Sequence, residues 1–372
     1  MNLLIDAHVF DDIHQGTRTY IKGLYGELII LMPNTSFFFA AYDIRNLQSE
    51  LGNHPNVKFI QLKQRKVLRL LLEIPLIIWK HKIDYAHFQY ISPPVRNCKH
   101  IVTTHDILFK DFKRLFPLKY RVLKDLLFRI SAIRADILLT VSEYSKERIS
   151  EHYKIPIQRI EVTLNGVSKQ FLTTDFNFDF DGIRSKYKIG KYILYVSRIE
   201  PRKNHLLLLM AFQELRLWEK GYKLIFIGKK DFLYQELEEF IDQWPNEFRE
   251  NVLWLENVKI NELRAFYENA ALFIYPSLAE GFGIPPIEAV SVGTATLCSN
   301  TTAMSAFTFL DDDLFDPHSI DELKSKILFR LLNPYDSAKV AGLKRLVTEK
   351  YSWNKSAKKF ISFVTKDQGL PA

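Results

Sequence analysis

The residues best suited to chemistry lie in the segment SLAEGFGIPPIEAVSVGT (277–294), at the end of an apolar, strand-like run. Glu280 and Glu288 stand eight residues apart on either side of a glycine-bearing turn. Proline is favoured in the first turn of a helix, so Pro285 and Pro286 predict a helix start here, with Glu288 in the first turn. Two carboxylates in this position are poor phosphate ligands but good acceptors for sugar hydroxyl groups. The alternative is an ordinary strand-to-helix turn whose glutamate interacts with the helix dipole.

The main chain of the same turn could bind an anion. A helix N-terminus presents N–H groups that have no partner within the helix, and its dipole favours negative charge. The residues whose N–H groups would lie at this N-terminus are Phe282, Gly283 and Ile284. We therefore expect a phosphate or hydroxyl group to bind there.

A second segment, VSRIEPRKNHLLLLMAF (196–212), contains closely spaced cations after another strand-like run. Arg198 and Lys203 leave the end of a buried strand, where two fixed cations could neutralise a diphosphate without a metal ion. Arg202 is interpreted as a solvated neighbour. The alternative for the whole segment is a basic loop on a solvated surface.

Both loops require a scaffold of parallel strands, because ligands of doubly wound sheets bind beyond the carboxyl ends of the strands. Apolar or β-branched runs alternate with helix-period segments throughout the chain, which predicts two parallel sheets covered by helices, with a cleft between two domains. The segment 165–189 is interpreted as a loop-rich linker, and the domains are expected at 1–170 and 171–352. The predicted strands are 2–7, 36–42, 56–62, 85–89, 100–105, 135–142, 159–164, 191–197, 222–228, 251–256, 271–277 and 294–299.

The 372 residues carry a net charge of +8, and this excess is concentrated in one region. Residues 58–134 hold 17 lysines and arginines against 5 aspartates and glutamates. Within it, the segments 63–82 and 110–129 interleave cations with Leu and Ile, a pattern typical of amphipathic surfaces attracted to anionic lipid. The alternative is that helices pack their apolar side on the sheet and expose only lysine and arginine. Peripheral membrane association is thus a hypothesis.

Several classes of protein are disfavoured. Cys98 and Cys298 lie 200 residues apart, too far to staple a small secreted scaffold or to form a metal knuckle. The N-terminus lacks the pattern of a signal peptide, and the longest apolar stretch (69–80) is too short to span a bilayer. We expect a cytoplasmic protein, at the inner face of the membrane if the hypothesis above holds. The segment after the first strand lacks G-x-G-x-x-G, which argues against a dehydrogenase.

Taken together, the two loops resemble those of the retaining glycosyltransferases of family 4, which have the GT-B fold of two Rossmann-like domains. Arg198 and Lys203 match the Arg/Lys pair of that family, and Glu280 with Glu288 matches its E-x7-E element. The resemblance extends over most of the chain, through QGTRTY (15–20), TTHDILF (103–109), VSEYSKERI (141–149), LNGV (164–167), NELRAFYENA (261–270) and SWNKSAKKF (352–360).

The resemblance implies a role for each matching position in the half of the chain that binds the donor. Arg198 and Lys203 would hold the donor diphosphate and stabilise the leaving group, Glu280 would contact the donor sugar, and Glu288 would bind the nucleotide ribose. The residues whose amides would bind sugar and phosphates are Phe282, Gly283 and Ile284, and those expected to contact the base are Val258 and Leu263.

In the N-terminal half, His105 would touch the transferred sugar, while Gly16 and Thr17 would belong to a mobile loop near the phosphates and acceptor. The C-terminal helix (353–372) would cross back to the first domain. The departures lie in SNTTAMSAFTFLDDD (299–313), which lacks the Pro-Glu-Val run common in the family, and in a first loop with fewer glycines than usual.

The expected function is transfer of a hexose from a nucleotide-diphosphate sugar to a glycan or lipid-linked acceptor, in the synthesis of a cell-surface polysaccharide such as lipopolysaccharide. Similarity to mannosyltransferase-like members favours GDP-mannose as donor. Neither a metal nor another cofactor is expected. The alternatives are another GT-B enzyme of nucleotide sugars, such as a hydrolysing epimerase, and a basic nucleic-acid-binding protein, against which no recognised nucleic-acid motif is present.

Other polar residues are interpreted as structural. His8, His14, His54 and His81 lack metal-ligand spacing, and Asp311, Asp312 and Asp313 are interpreted as a solvated turn. Asp106 would either orient His105 or cap the following segment.

Overall fold

The computed structural model describes residues 1–11, 16–63, 66–173, 178–230 and 234–369, with only the main chain of residue 66. The chain divides into two compact units. The first unit comprises Met1–Gly166 together with Ser352–Ala372, and the second unit comprises Val167–Tyr351.

In the described residues of the first unit, seven parallel strands form one sheet in the order β3-β2-β1-β4-β5-β6-β7. This order, with crossovers in both directions from β1, is that of a doubly wound fold. The strands are β1 (Asn2–Asp6), β2 (Ser36–Ala41), β3 (Val57–Gln61), β4 (Tyr85–Gln89), β5 (Lys99–Thr103), β6 (Ile137–Thr140) and β7 (Ile160–Val162). The α-helices are α1 (Gly16–Leu31), α2 (Ile44–Leu51), α3 (Lys66–Leu68), α4 (Ile74–Lys80), α5 (Leu118–Arg134) and α6 (Glu143–Tyr153), with the last helix of the chain, α16 (Trp353–Asp367).

Helices α4 and α5 cover the same face of this sheet. Ile74 of α4 belongs to a buried apolar cluster with Phe88 of β4, and Phe128 of α5 belongs to a second cluster with Val102 of β5. Phe88 and Val102 are register partners on adjacent parallel strands, so their side chains point to the same side of the sheet. The π-helical turn Arg69–Glu73 joins α3 to α4.

Helices α1 and α16 pack on the opposite face. The hydroxyl of Tyr25 on α1 lies 2.7 Å from Nδ1 of His87, and the ring of Phe360 on α16 lies 5.7 Å from the same imidazole. The indole of Trp353, at the start of α16, occupies space that a side chain at Gly23 or Gly166 would need. A Cβ built on either glycine would lie 2.1 Å and 2.6 Å, respectively, from the nearest atom of Trp353. These two glycines allow the last helix to dock.

In the described part of the second unit, six parallel strands have the order β10-β9-β8-β11-β12-β13. They are β8 (Lys191–Val196), β9 (Tyr222–Ile227), β10 (Val252–Leu255), β11 (Leu272–Tyr275), β12 (Thr296–Ser299) and β13 (Leu314–Phe315). The helices are α7 (Lys169–Leu172), α8 (Asp181–Tyr187), α9 (His205–Glu214), α10 (Gln235–Asp242), α11 (Asn246–Arg249), α12 (Ile260–Glu268), α13 (Ile284–Val292), α14 (Ile320–Leu332) and α15 (Ser337–Lys350).

The predicted fold class, two doubly wound parallel sheets, is confirmed, and each predicted strand is present within a few residues of its expected bounds. The interpretation of 165–189 as a loop-rich linker is wrong in part, because α7 and α8 lie within it. Ile183 of α8 is buried, which explains why this short segment is ordered as a helix. The two-residue strand β13 was missed, since it is too short to show an alternation.

Candidate functional site

The two motif loops of the second unit lie side by side because β8 and β11, which precede them, are neighbours in the sheet. After β8, a 3-10 turn (Pro201–Lys203) presents its side chains to the loop that follows β11. The ammonium group of Lys203, buried at 8% exposure, donates hydrogen bonds to the Glu280 carboxylate and, over 3.2 Å, to the Tyr275 hydroxyl. The sequence-predicted residues Lys203 and Glu280 therefore form one cluster.

Four side chains of its own unit donate hydrogen bonds to the Glu280 carboxylate, three of them to Oε1 and one to Oε2. Its Oε1 atom also accepts hydrogen bonds from the hydroxyls of Ser277 (2.7 Å) and Tyr275 (3.0 Å), and Oε2 accepts one from Arg202 (2.9 Å). Burial alone would raise the pKa of Glu280, but the charges of Lys203 and Arg202 outweigh it and lower the pKa to about 2. This carboxyl group is ionised at any physiological pH.

The interpretation of Arg202 as a solvated neighbour is wrong. Its guanidinium donates to Glu280, to the carbonyl oxygen of Ala279 (3.1 Å) and, through Nε, to Glu200 (2.9 Å). Successive side chains of a 3-10 turn point about 120° apart. Two long side chains at consecutive positions can therefore approach the same loop from different sides. Arg202 and Lys203 do so here, on the two oxygens of one carboxylate.

Arg198 extends this cluster by way of Glu200, whose carboxylate lies 3.8 Å from Arg198 Nε. The result is a connected set of three cations and two carboxylates: Arg198, Glu200, Arg202, Glu280 and Lys203. Burial and the nearby guanidinium of Arg202 lower the pKa of Lys203, against the opposing effect of Glu280. We call this set of five residues the charge cluster. Because it contains three cations and two carboxylates, its formal charge is positive by one unit.

The glycine turn supplies unused main-chain donors beside the charge cluster. Gly283 has φ +97°, a left-handed conformation, and is the N-cap of α13, which starts at Ile284 with Pro285 and Pro286 in its first turn, as predicted. No hydrogen bond in the described part of the chain uses the N–H groups of Phe282, Gly283 or Ile284. The ring of Phe282 packs in edge-to-face contact with Phe307 and Tyr351. The turn can therefore offer three N–H groups to an anion.

Glu288 lies in the second turn of α13, not in the first as predicted, because the helix begins four residues earlier at Ile284. It is buried, and Oε2 accepts a hydrogen bond from the Tyr267 hydroxyl over 3.2 Å. Burial raises its pKa to about 7, and the hydrogen bond from Tyr267 opposes this only in part. Near neutral pH, Glu288 can thus either donate or accept a hydrogen bond.

The two residues expected at the nucleotide base lie on neighbouring elements. Val258 follows β10, and Leu263 is on α12, the helix that also carries Tyr267. Both side chains are half-buried. Their role toward a base stays a prediction.

In the first unit, His105 lies two residues beyond β5 and is buried between the rings of Tyr20 and Tyr90. Its Nε2 lies 2.7 Å from Oε1 of Gln89, and burial lowers the pKa of His105 to about 3, so the imidazole is neutral. The carboxylate of Asp106 accepts a hydrogen bond over 3.2 Å from the amide of Leu108, the first residue of the 3-10 turn Leu108–Lys110.

Gly16 and Thr17 are the first two residues of α1. The preceding residues 12–15, which include His14, lie outside the described residues. The mobile-loop role that the resemblance gives to Gly16 and Thr17 therefore stays a prediction.

A cavity of about 750 Å³ in the first unit was not predicted. Two of its lining residues bind the buried carboxylate of Asp6, the last residue of β1: Arg69 donates two hydrogen bonds (2.6 and 2.7 Å), and Nδ1 of His8 lies 3.1 Å away. Burial would raise the pKa of Asp6, but His8 and Arg69 lower it to about 2. The sequence feature that could have indicated this site is Asp6 itself, a carboxylate at the end of an otherwise apolar strand. The cavity is lined by His8, Asp11, Tyr42, Asp43, Ile44, Arg45, Gln61, Leu62, Lys63 and Arg69.

The aspartate run 311–313 is only in part the solvated turn that was expected. Asp311 and Asp312 are exposed, but Asp313 is buried and accepts hydrogen bonds from Arg330 (2.8 Å) and from Tyr335. Among the described residues, no three His, Cys, Asp or Glu side chains converge as metal ligands do.

Two family models match the chain. The model described as "Glycosyl transferases group 1" covers residues 179–365, and the one described as "Glycosyltransferase Family 4" covers residues 27–171. Their boundary falls close to the division between the two units.

Curated relatives are about 27–28% identical to this chain over the aligned residues. It is 28% identical to the O-antigen chain mannosyltransferase B of Escherichia coli over 282 residues, which are 71% of this chain and 73% of that protein. It is 27% identical to the serotype-specific mannosyltransferase WbdA of Escherichia coli over 242 residues. That match spans 63% of this chain but only 29% of WbdA.

The fold is also that of solved structures. The crystal structure of Anabaena Alr3699/HepE in complex with UDP-glucose has a TM-score of 0.73 and covers 98% of this chain and 99% of that one, at 14% identity. At this identity the similarity concerns the fold, two Rossmann-like domains of the GT-B class.

Proposed function

The chain belongs to the group 1 glycosyl transferases, and on this premise we propose that it transfers a hexose from a nucleotide-diphosphate sugar to a glycan or lipid-linked acceptor. The reaction proceeds with retention of the anomeric configuration and without a metal ion. It serves the synthesis of a cell-surface polysaccharide.

The observation that carries the proposal is the charge cluster beside the glycine turn. As the glycosidic bond of the donor breaks, negative charge develops on the leaving diphosphate, and fixed donors aimed at that charge lower the barrier. Arg198 and Lys203 supply the cations, in the role that a divalent ion plays in other phosphate-transfer sites. The free N–H groups at the start of α13 supply further donors to the same phosphates.

The two glutamates of the E-x7-E element have different tasks in this proposal. Glu280, ionised and held by two cations, accepts hydrogen bonds from the donor sugar. Glu288, whose pKa lies near 7, binds the ribose hydroxyls, and Val258 with Leu263 contacts the base. Neither glutamate acts as a base, and the leaving phosphate accepts the proton of the acceptor hydroxyl.

The first unit binds the acceptor in this proposal. His105, neutral and held by Gln89, hydrogen-bonds the transferred sugar, and Gly16 with Thr17 lies near the phosphates and the acceptor.

GDP-mannose is the proposed donor, and mannose is the sugar transferred. The support is that the two relatives above are named mannosyltransferases, and one of them an O-antigen chain enzyme.

The decisive experiment is a thermal-shift panel of GDP, UDP, ADP and dTDP in the presence of EDTA. One diphosphate should raise the melting temperature, because ligand that binds only the folded state stabilises it. We expect GDP to do so, and the Lys203→Ala variant to lose the response. No shift with any nucleotide would refute the proposed donor site.

Product analysis separates transfer from the closest rival reaction. A hydrolysing epimerase would convert the nucleotide sugar to a new free sugar without an acceptor. A transferase consumes the donor in proportion to added acceptor, and the one-bond C1–H1 coupling of the product reports whether the anomeric configuration is retained.

A further inference from the structure

The outward side of α5 is unusually apolar for a helix in contact with water. Six of its aliphatic residues are more than two-fifths exposed, with Val122 at 65% and Leu126 at 58%. At 3.6 residues per turn, these six fall within an arc of about 140° of the helix surface. They are Leu118, Val122, Leu123, Leu126, Ile130 and Ile133.

The helical segment around α4 has the same character. Leu71, Leu72, Leu76 and Trp79 are exposed, and the indole of Trp79 is 76% accessible. Since α4 and α5 cover the same face of the first sheet, their outward sides form one layer, which we call the α4–α5 surface.

The charges on the α4–α5 surface indicate which kind of partner it binds. The exposed residues of α5 include the cations Lys119, Arg129 and Arg134 and no carboxylate. Lys119 and Arg129 fall within the same arc as the apolar side chains, and Arg134 lies about 20° beyond its edge. Lysine is depleted from protein–protein interfaces, whereas apolar side chains set among lysine and arginine are the signature of helices that lie in a membrane interface. No helix in the described ranges is long and apolar enough to cross a bilayer.

We infer that the α4–α5 surface docks on an anionic lipid bilayer. The apolar side chains enter the boundary between headgroups and acyl chains, while Lys119, Arg129 and Arg134 bind the headgroup phosphates. The 17 basic and 5 acidic residues of segment 58–134 add long-range attraction to such a surface. The inference does not depend on the donor or on the reaction proposed above.

The test is flotation of the full chain with vesicles of phosphatidylcholine, alone or with about 30 mol% phosphatidylglycerol, at low and high salt. We expect binding to the anionic vesicles that weakens as salt rises. The double variant Val122→Ser/Leu126→Ser should bind about tenfold more weakly, because two buried apolar contacts with lipid are lost. The double variant Lys119→Glu/Arg129→Glu should lose the preference for anionic vesicles.

The matched control lies in the second unit. Phe329 and Leu332 of α14 are 55% and 79% exposed, so Phe329→Ser/Leu332→Ser removes at least as much exposed apolar surface elsewhere and should bind lipid as the wild type does. Because all these side chains are exposed, melting temperatures should stay unchanged. The inference is overturned if the wild type ignores anionic vesicles or if the α5 variant binds as well as the control.

A second copy of the chain is the rival occupant. A dimer in sedimentation velocity without lipid, dissolved by Val122→Ser/Leu126→Ser, would assign the surface to self-association and overturn the inference. The response of melting temperature to GDP, measured on the same variants, reports separately on the proposed donor site.

Discussion

Arg202 places its guanidinium 2.9 Å from the carboxylate of Glu280, on the oxygen that Lys203 leaves free. Two consecutive residues of one 3-10 turn thus bind both oxygens of one glutamate, which ties this turn to the glycine turn. In the proposed function, charges arranged in this way cost little reorganisation when the donor diphosphate binds.

Loss of Arg202 should weaken nucleotide binding. In Arg202→Ala, the Glu280 carboxylate keeps Lys203 but loses its second cation, so Lys203 alone must balance the charge of Glu280 and is less available to a diphosphate. Charged hydrogen bonds of this kind are worth about 1.5–3 kcal/mol, so the Kd for the preferred nucleoside diphosphate should rise about 10- to 100-fold by isothermal titration calorimetry. Arg216→Ala, which removes an exposed arginine paired with Glu219, is the control and should leave the Kd unchanged.

Lys203 and Glu280 should behave as a coupled pair. Lys203→Ala and Glu280→Ala should each abolish transfer, and each should lower the free energy of unfolding by about 3 kcal/mol, because the remaining partner is buried. The double variant should lose much less than the sum of the two in urea denaturation. Additive losses would show that the two groups do not interact.

Glu288 should make stability depend on pH in a defined window. Its pKa is about 7 in the folded protein, against an ordinary value of 4.5. Between these pH values the unfolded chain releases a proton that the folded chain keeps, so the favourable contribution is complete below pH 4.5 and is lost as pH rises through 7. The loss amounts to about 3 kcal/mol at most. Glu288→Gln has no titrating group at this position. The free energy of unfolding of the wild type, measured by denaturation from pH 5 to 8, should therefore fall relative to that of Glu288→Gln up to about pH 7 and run parallel to it above. Parallel pH profiles would contradict the assignment.

Gly228 should be intolerant of any side chain. It follows β9 with φ +152°, and a Cβ there would lie 2.0 Å from the carbonyl oxygen of Ser197 and 3.0 Å from the amide of Arg198. Gly228→Ala must push this strand end aside, so we expect a loss of about 2–4 kcal/mol in the free energy of unfolding and weaker diphosphate binding through the displaced Arg198.

The control for Gly228 lies on α15, where nothing approaches within 4 Å of a Cβ at Gly342. Gly342→Ala should stabilise that helix by about 0.5–1 kcal/mol. Equal effects of the two substitutions in thermal denaturation would contradict the proposed close approach.

The scaffold was predictable because a strand buried on both faces is marked by its own composition. Runs such as 191–196 and 272–275 contain almost nothing but apolar residues and tyrosine, and their bounds need no knowledge of neighbours. The helix start at Pro285 is local in the same sense, since proline itself restricts the backbone.

Pairings between distant residues were not predictable. Asp313 is buried because Arg330, seventeen residues later, folds back onto it, and Asp6 finds Arg69 across 63 residues. Arg202 turns inward because the amide of Leu278 and the hydroxyl of Ser277 both donate to its carbonyl oxygen, which joins the two loops. The sequence shows three cations in this loop but not which of them faces the glutamate.

The chain enters and leaves the second unit at neighbouring points, and this has a practical consequence. Val167 opens the second unit and Tyr351 closes it, and the amide of Val167 donates a 2.9 Å hydrogen bond to the carbonyl oxygen of Tyr351. The two ends of this unit are therefore adjacent, as is required of a domain inserted into another domain. The corresponding unit of a relative could therefore be grafted between residues 166 and 352, while Gly23, Gly166 and Trp353 keep the last helix docked on the first unit. If the proposed function is correct, such a graft would exchange the sugar donor and keep the acceptor.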